Sequence, residues 1–145
     1  MFYVVSLAVL LLDQASKWLI MAAMSLGQSI PVIENIFHIT YIHNPGAAFG
    51  LLANRTSFFI AVSLLVVAGA VVFQWQRGSR RGVMPLALGL IVGGSLGNLA
   101  DRVRFGEVID FLDFRVWPVF NLADSAIVVG AGLLVLVIWK MESKT

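Results

Sequence analysis

The sequence predicts an all-α membrane protein built on four transmembrane helices. Three observations carry that expectation. Apolar residues make up 59% of the 145 positions and charged residues only 12%, with a mean hydropathy of +0.92. Soluble domains run near half apolar and a quarter charged, so this chain needs a bilayer rather than a soluble core. Four long apolar stretches, residues 2–24, 57–75, 83–99 and 122–139, each approach the roughly 20 residues that span the hydrocarbon. The acidic residues gather toward one membrane face. Together these describe one integral membrane domain over residues 1–145.

The first stretch lacks a basic leader and carries Asp13 and Lys17 within its apolar run, which reads as a retained helix rather than a cleaved leader. After it, Ser29–Ile33 and Phe37–Ile42 are β-prone runs separated by Glu34 and Asn35, the pattern of short strands on the membrane surface. Between the second and third stretches lies a tight turn with Arg77, Arg80 and Arg81, and the chain closes with Lys140 and Lys144. The excess of basic residues places both segments, and both termini, in the cytoplasm. Connections 25–56 and 100–121 then face outward. Arg102, Arg104 and Arg115 run against that rule, but they interleave with Asp101, Glu107, Asp110 and Asp113, as residues serving a site would. In the third stretch Gly89, Gly93 and Gly97 form a doubled small-xxx-small pattern that admits a close neighbour helix, repeated more weakly by Ala126 and Gly130 in the fourth.

Several function classes fall away. The net charge of +2 is modest and, apart from the one short arginine cluster, the basic residues are scattered, unlike a nucleic-acid footprint. There is no cysteine, hence neither a disulfide nor a thiolate metal site. His38 and His43 stand five apart without a local cluster of ligands, so no metal is expected.

A carboxylate near membrane depth is costly and points to function. Asp13 and Lys17 are spaced i,i+4 in the favourable order, which suits a neutralising pair or a strut beside a site. Asn98 and Asp101 share a helical face, and Arg102 follows, placed to pair with a carboxylate. Asp110 and Asp113 sit among Ile, Phe and Leu, where partial burial would raise a carboxyl pKa. Asn121 and Asp124 read as N-cap and N3 of the fourth helix, an Asp form of the capping box. That position also sets Asp124 at the positive end of the helix dipole. A carboxylate dyad needs one ionised member and one that holds a proton. Spacing leaves the partner of Asp124 open among Asp101, Asp110 and Asp113.

Four segments together resemble the lipoprotein signal peptidase (signal peptidase II) family. They are Asp13-Gln14-Ala15-Ser16-Lys17, Asn44-Pro45-Gly46-Ala47-Ala48-Phe49, the run from Gly93 to Arg102 continuing into Val108-Ile109-Asp110-Phe111, and Phe120-Asn121-Leu122-Ala123-Asp124-Ser125. The resemblance implies an inner-membrane aspartic endopeptidase of bacteria with Asp110 and Asp124 as its catalytic pair. It further implies supporting or substrate-binding roles for Asp13, Lys17, Asn44, Gly46, Asn98, Asp101, Arg102 and Asn121. A small extracytoplasmic β-sheet and a periplasmic loop or helix would lie over the site. The implied substrate is a diacylglyceryl-modified prolipoprotein, cut just before its lipidated cysteine within the membrane lipids. Globomycin-type cyclic peptides would inhibit, no metal or organic cofactor would be needed, and a monomer is expected. Pro45 stands where the family more often has a polar residue, and the connection from Asp110 to Asp124 is short.

Buried carboxylates also suit a proton-coupled membrane transporter, or a scaffold without chemistry. Against transport, the spans lack paired broken helices.

Overall fold

A computed structural model describes residues 1–46, 54–78 and 81–142. Ala47, Ala48 and Phe49 of the second family segment, with Arg80 and Lys144 of the basic segments, lie outside the described residues. Four helices are long and apolar enough to cross a membrane: α1 (Phe2–Ala23), α2 (Thr56–Arg77), α3 (Val83–Phe105) and α4 (Leu122–Glu142). Strands β1 (Ser29–Ile33), β2 (Phe37–Asn44) and β3 (Val108–Asp113) form an antiparallel sheet in that order.

Three helix boundaries match the apolar stretches within a few residues. The third runs six residues past its expected end. Hydropathy drops at Asn98, but the polar side chains of the last turns find partners inside the protein, and the helix stops only at Gly106. That glycine takes φ +80, and its N–H closes the final turn on the Arg102 carbonyl at 3.0 Å.

α3 is the buried centre. Helices α1 and α4 pack against it closely because glycines leave room for their backbones. A methyl added at Gly93 would come within 2.6 Å of the Ser6 carbonyl on α1, and one at Gly130 within 2.7 Å of the Ala87 carbonyl on α3. The small-residue pattern therefore marks both seams. The outward faces of α1, α2 and α4 carry exposed Leu, Val, Phe and Trp, as lipid-facing helices do.

The sheet joins the bundle at one end, where α1 ends, α2 begins, α3 ends and α4 begins. β1 is exposed along its length, whereas β3 is buried at all positions but Leu112. β3 pairs with β2 through Ile42↔Asp110, His43↔Ile109 and Asn44↔Val108, and leads from Gly106 back under the bundle. Asp110 is thereby set beside the start of α4.

Candidate active site

Two groups of buried polar residues occupy this end of the bundle. The first is an ionic knot at the seam of α1 and α3. Lys17 Nζ lies 2.9 Å from Asp13 and 2.7 Å from Asp101, all three at most 1% exposed. Such ions are tolerated away from water only when paired and hydrogen-bonded throughout. Gln14 Nε2 bridges the acids, donating to Asp13 at 3.2 Å and to Asp101 at 2.9 Å. Arg104 in turn donates to the Gln14 carbonyl oxygen at 3.0 Å. The i,i+4 pair read from the sequence is real, but it is shared with an acid 84 residues beyond Lys17.

The second group is built around Asp110 and Asp124, which line one cleft of about 550 Å³. Asp110 is 1% exposed and Asp124 half-buried. Asn44 Nδ2 donates to Asp110 at 2.9 Å and Asn121 Nδ2 at 2.7 Å. Asn98 Nδ2 donates to Asp124 at 2.8 Å. The capping box is present in both directions: the Asp124 N–H donates to the Asn121 side chain at 2.9 Å, and the Asn121 N–H to the Asp124 carboxylate at 3.2 Å. Among the described residues, neither carboxylate makes an ion pair with a cation. Burial, and then the charge of Asp124, push the Asp110 carboxyl up to about 7, against the opposing hydrogen bonds of Asn44 and Asn121.

The knot and the pair are wired together. Lys17 and Asn121 both donate to Asn98 Oδ1, at 3.1 Å each. Asp101 accepts the N–H of Ile109 at 3.2 Å, and Asp13 accepts the N–H of Ala123 at 3.0 Å. Each knot acid therefore holds the residue immediately before one acid of the pair.

Two expectations need correction. Asp113 is buried, which opposes ionisation, yet hydrogen bonds from Thr40, the Arg115 N–H and the Arg115 guanidinium hold its carboxyl below the usual range. Strand alternation is the reason, because it turns Asp113 to the opposite face from Asp110. Arg102 shows no carboxylate ion pair among the described residues. Its guanidinium stacks 4.8 Å above the Phe59 ring and reaches the Gly46 carbonyl only at 3.5 Å, while lining the cleft. The N–H of Gly46 donates to Asn44 Oδ1 at 3.0 Å, which orients the Asn44 amide.

All ten site residues named from sequence meet at this end of the bundle. Gln14 and Phe59 escaped sequence reasoning. Gln14 was visible in its segment, but nothing in its spacing signals a bridge between two acids. Phe59 is one of many apolar residues on α2. Among the described residues, no three His, Asp or Glu side chains are placed to hold a metal.

Below the carboxylates the cleft becomes apolar, lined by Val62 and Val66 of α2, Ile91 of α3, and Ile127 and Ala131 of α4. A second cavity of about 540 Å³ shares Val66 and Ile91 and continues between α2 and α4. The result is a groove with α3 as its floor, running from the acids along the bundle.

The family described as Signal peptidase (SPase) II matches residues 5–140. A "Lipoprotein signal peptidase" of Halothermothrix orenii is 52% identical over 143 residues, 98% of this chain and 97% of that protein. Another of the same description, from Pelotomaculum thermopropionicum, is 52% identical over 132 residues, 91% and 87% of the two chains. A bacterial membrane enzyme solved by the in meso method superposes with a TM-score of 0.92 at 32% identity, covering 99% of this chain and 90% of that one.

Proposed function

Because this chain belongs to the signal peptidase II family, we propose that Asp110 and Asp124 are the catalytic dyad of its peptidase reaction. The protein is a multi-pass bacterial membrane peptidase that removes signal peptides from prolipoproteins, which displaces the transporter alternative. The observation that carries the dyad is the pair of carboxylates on one cleft, held by amides instead of cations and retaining one proton near neutral pH.

The chemistry follows from that shared proton. The ionised carboxylate takes a proton from a water directed at the scissile carbonyl, while the protonated one donates to the carbonyl oxygen. The tetrahedral intermediate then collapses as a proton passes to the leaving nitrogen, giving a free carboxylate and a free amine. Asn44, Asn98 and Asn121 fix both carboxyl groups without neutralising them, as a preorganised site requires. Arg102, above the Phe59 ring, orients the peptide carbonyl or a lipid headgroup.

The substrate is a diacylglyceryl-modified prolipoprotein, cut before the lipidated cysteine. Its signal helix and acyl chains enter from the bilayer into the groove between α2 and α4, whose apolar lining matches both. The basic α2–α3 turn lies on the cytoplasmic side with the start of α1 and the end of α4. The sheet and the acids then face outward in the inner membrane, and the enzyme acts as a monomer.

The test is to incubate the purified protein with diacylglyceryl-modified and unmodified prolipoprotein, with and without globomycin. Cleavage of the lipidated form alone, blocked by globomycin, is expected. Cleavage indifferent to both lipid and inhibitor would overturn the substrate reading.

A further inference from the structure

Asn44 reaches Asp110 from the last residue of β2, where a strand is least secure. Pro45 follows and has no N–H to donate, so the β2–β3 ladder stops at Asn44↔Val108. A terminal pair of this kind opens more readily than the ladder behind it. Yet the Asn44 amide must keep a 2.9 Å bond to a buried carboxyl.

The neighbouring residue supplies a brace. His43 projects to the opposite face of β2 from Asn44, where its ring is held from both edges. Its Nε2 lies 2.9 Å from the Tyr41 hydroxyl, and its Nδ1 lies 3.2 Å from Glu107 Oε2. Tyr41 is buried against Met24 and Ile109. Glu107 sits in the turn between Gly106, which ends α3, and Val108, which opens β3. The Gly106 carbonyl accepts the Thr56 hydroxyl at 2.7 Å, so that turn is itself anchored. His43 thus cross-links the end of β2 to the start of β3, one residue before Asn44.

Proton placement keeps the brace intact. An ionised Glu107 only accepts, so Nδ1 carries the proton and Nε2 accepts from the Tyr41 hydroxyl. If the ring gains a second proton, Nε2 donates to the Tyr41 oxygen instead, and both contacts persist.

We infer that His43, braced by Tyr41 and Glu107, is a positioning residue for the peptidase reaction that holds the Asn44 amide on Asp110. It touches neither substrate nor reacting atoms and acts through the strand end. This inference rests on Asp110 belonging to the catalytic dyad.

The role has a titration signature. Asn44's hydrogen bond lowers the Asp110 pKa, so a loosened Asn44 lets it rise further. The alkaline limb of the rate profile then moves to higher pH, because the dyad keeps its proton longer. Among the described residues, the titratable partners of His43 are Tyr41 and Glu107. Those acting on Asp110 are Asp124 of α4, Lys17 of α1 and Arg102 of α3.

The experiment compares His43→Phe, His43→Gln, Glu107→Leu and the His43→Phe/Glu107→Leu double variant, using the full chain in detergent and a diacylglyceryl-modified prolipoprotein. Phe keeps the ring and loses both bonds, whereas Gln retains a donor and an acceptor. For His43→Phe, kcat should fall about tenfold with KM little changed, as expected when one hydrogen bond to a reacting group is misplaced. The alkaline limb should move upward, Glu107→Leu should match His43→Phe, the double variant should be no slower, and His43→Gln should recover most of the rate. A full rate in His43→Phe, an additive double variant or an unmoved limb would each overturn the inference. Should His43→Phe fail to accumulate, Glu107→Leu alone decides by the same kcat and limb criteria. Asp110→Asn run alongside separates the two readings: if it cleaves, the dyad is wrong. If it is dead while His43→Phe is fully active, only the brace is wrong.

Discussion

The knot of Asp13, Lys17 and Asp101 and the pair of Asp110 and Asp124 meet on Asn98 and lie at the same end of the bundle, yet they are built for opposite purposes. In the knot, one ammonium sits within 3 Å of both acids, and its charge is answered directly. In the pair, amide donors hold two carboxyl groups and no described cation is bonded to either. An amide supports a carboxylate without cancelling its charge, so burial and the neighbouring Asp124 charge still push the Asp110 carboxyl up to about 7. A neutralised acid is structural, whereas an acid left to share a proton is available for chemistry. The knot also serves the pair, since its acids hold the N–H groups of Ile109 and Ala123.

This contrast is open to test, beginning with the largest expected effect. Asp110→Asn and Asp124→Asn should each lower cleavage by about 10⁴-fold, roughly 5.5 kcal/mol of barrier, while the protein still accumulates in the membrane. A prolipoprotein cleavage assay with purified variants checks this, and turnover within tenfold of the wild type would remove that residue from the dyad. Lys17→Met should act on folding instead, leaving two buried acids without their cation at a cost of about 3–5 kcal/mol. Denaturant or thermal unfolding in detergent measures it; a variant as stable as the wild type would mean that the knot is not structural.

Gly97→Ala attacks the knot without touching charge, because the added methyl would collide with the Asp13 carboxylate. A loss of about 1–3 kcal/mol is expected in the same unfolding assay. If the seam accommodates alanine at no cost, the close approach of α1 and α3 is not what seats Asp13.

The smallest effect concerns pH and distinguishes the pair from the knot. The rate should fall about tenfold per pH unit above about 7, as the dyad loses its proton. The sign for stability is the same. Folding raises the Asp110 pKa, so its contribution is full below the unfolded carboxyl value of 3.8 and is lost as pH climbs to about 7. Asp110→Asn should therefore flatten the stability profile across that window. A thermal-unfolding series from pH 4 to pH 8 reads it, and an unchanged slope would place the titration elsewhere.

Much of the fold was legible in the sequence because a membrane helix is announced by its own residues. Length and hydropathy locate the four spans, glycine spacing marks the close seams, and β-branched runs mark β1 and β2. The end of α3 was missed, since its polar last turns are stabilised by Gln14 and Lys17 of α1, Asn121 and Asp124 at the start of α4 and the Ile109 N–H of β3 rather than by their own hydropathy. Asp124 could be singled out locally, as Asn121 and Asp124 form their capping box within four residues.

Its partner could not be found that way. Asp101, Asp110 and Asp113 are all acidic and all precede Asp124 within one stretch of chain, so spacing does not choose among them, and family resemblance alone preferred Asp110. Which acid shares the cleft with Asp124 depends on contacts between distant segments. Lys17 claims Asp101 from 84 residues away, Thr40 and Arg115 claim Asp113, and Asn44 and Asn121 hold Asp110 without discharging it. Chain-local chemistry determined the spans, the helix start and the set of candidate acids. Only the tertiary structure decided which of them is neutralised and which retains a proton, because an acid's charge is governed by the groups packed around it.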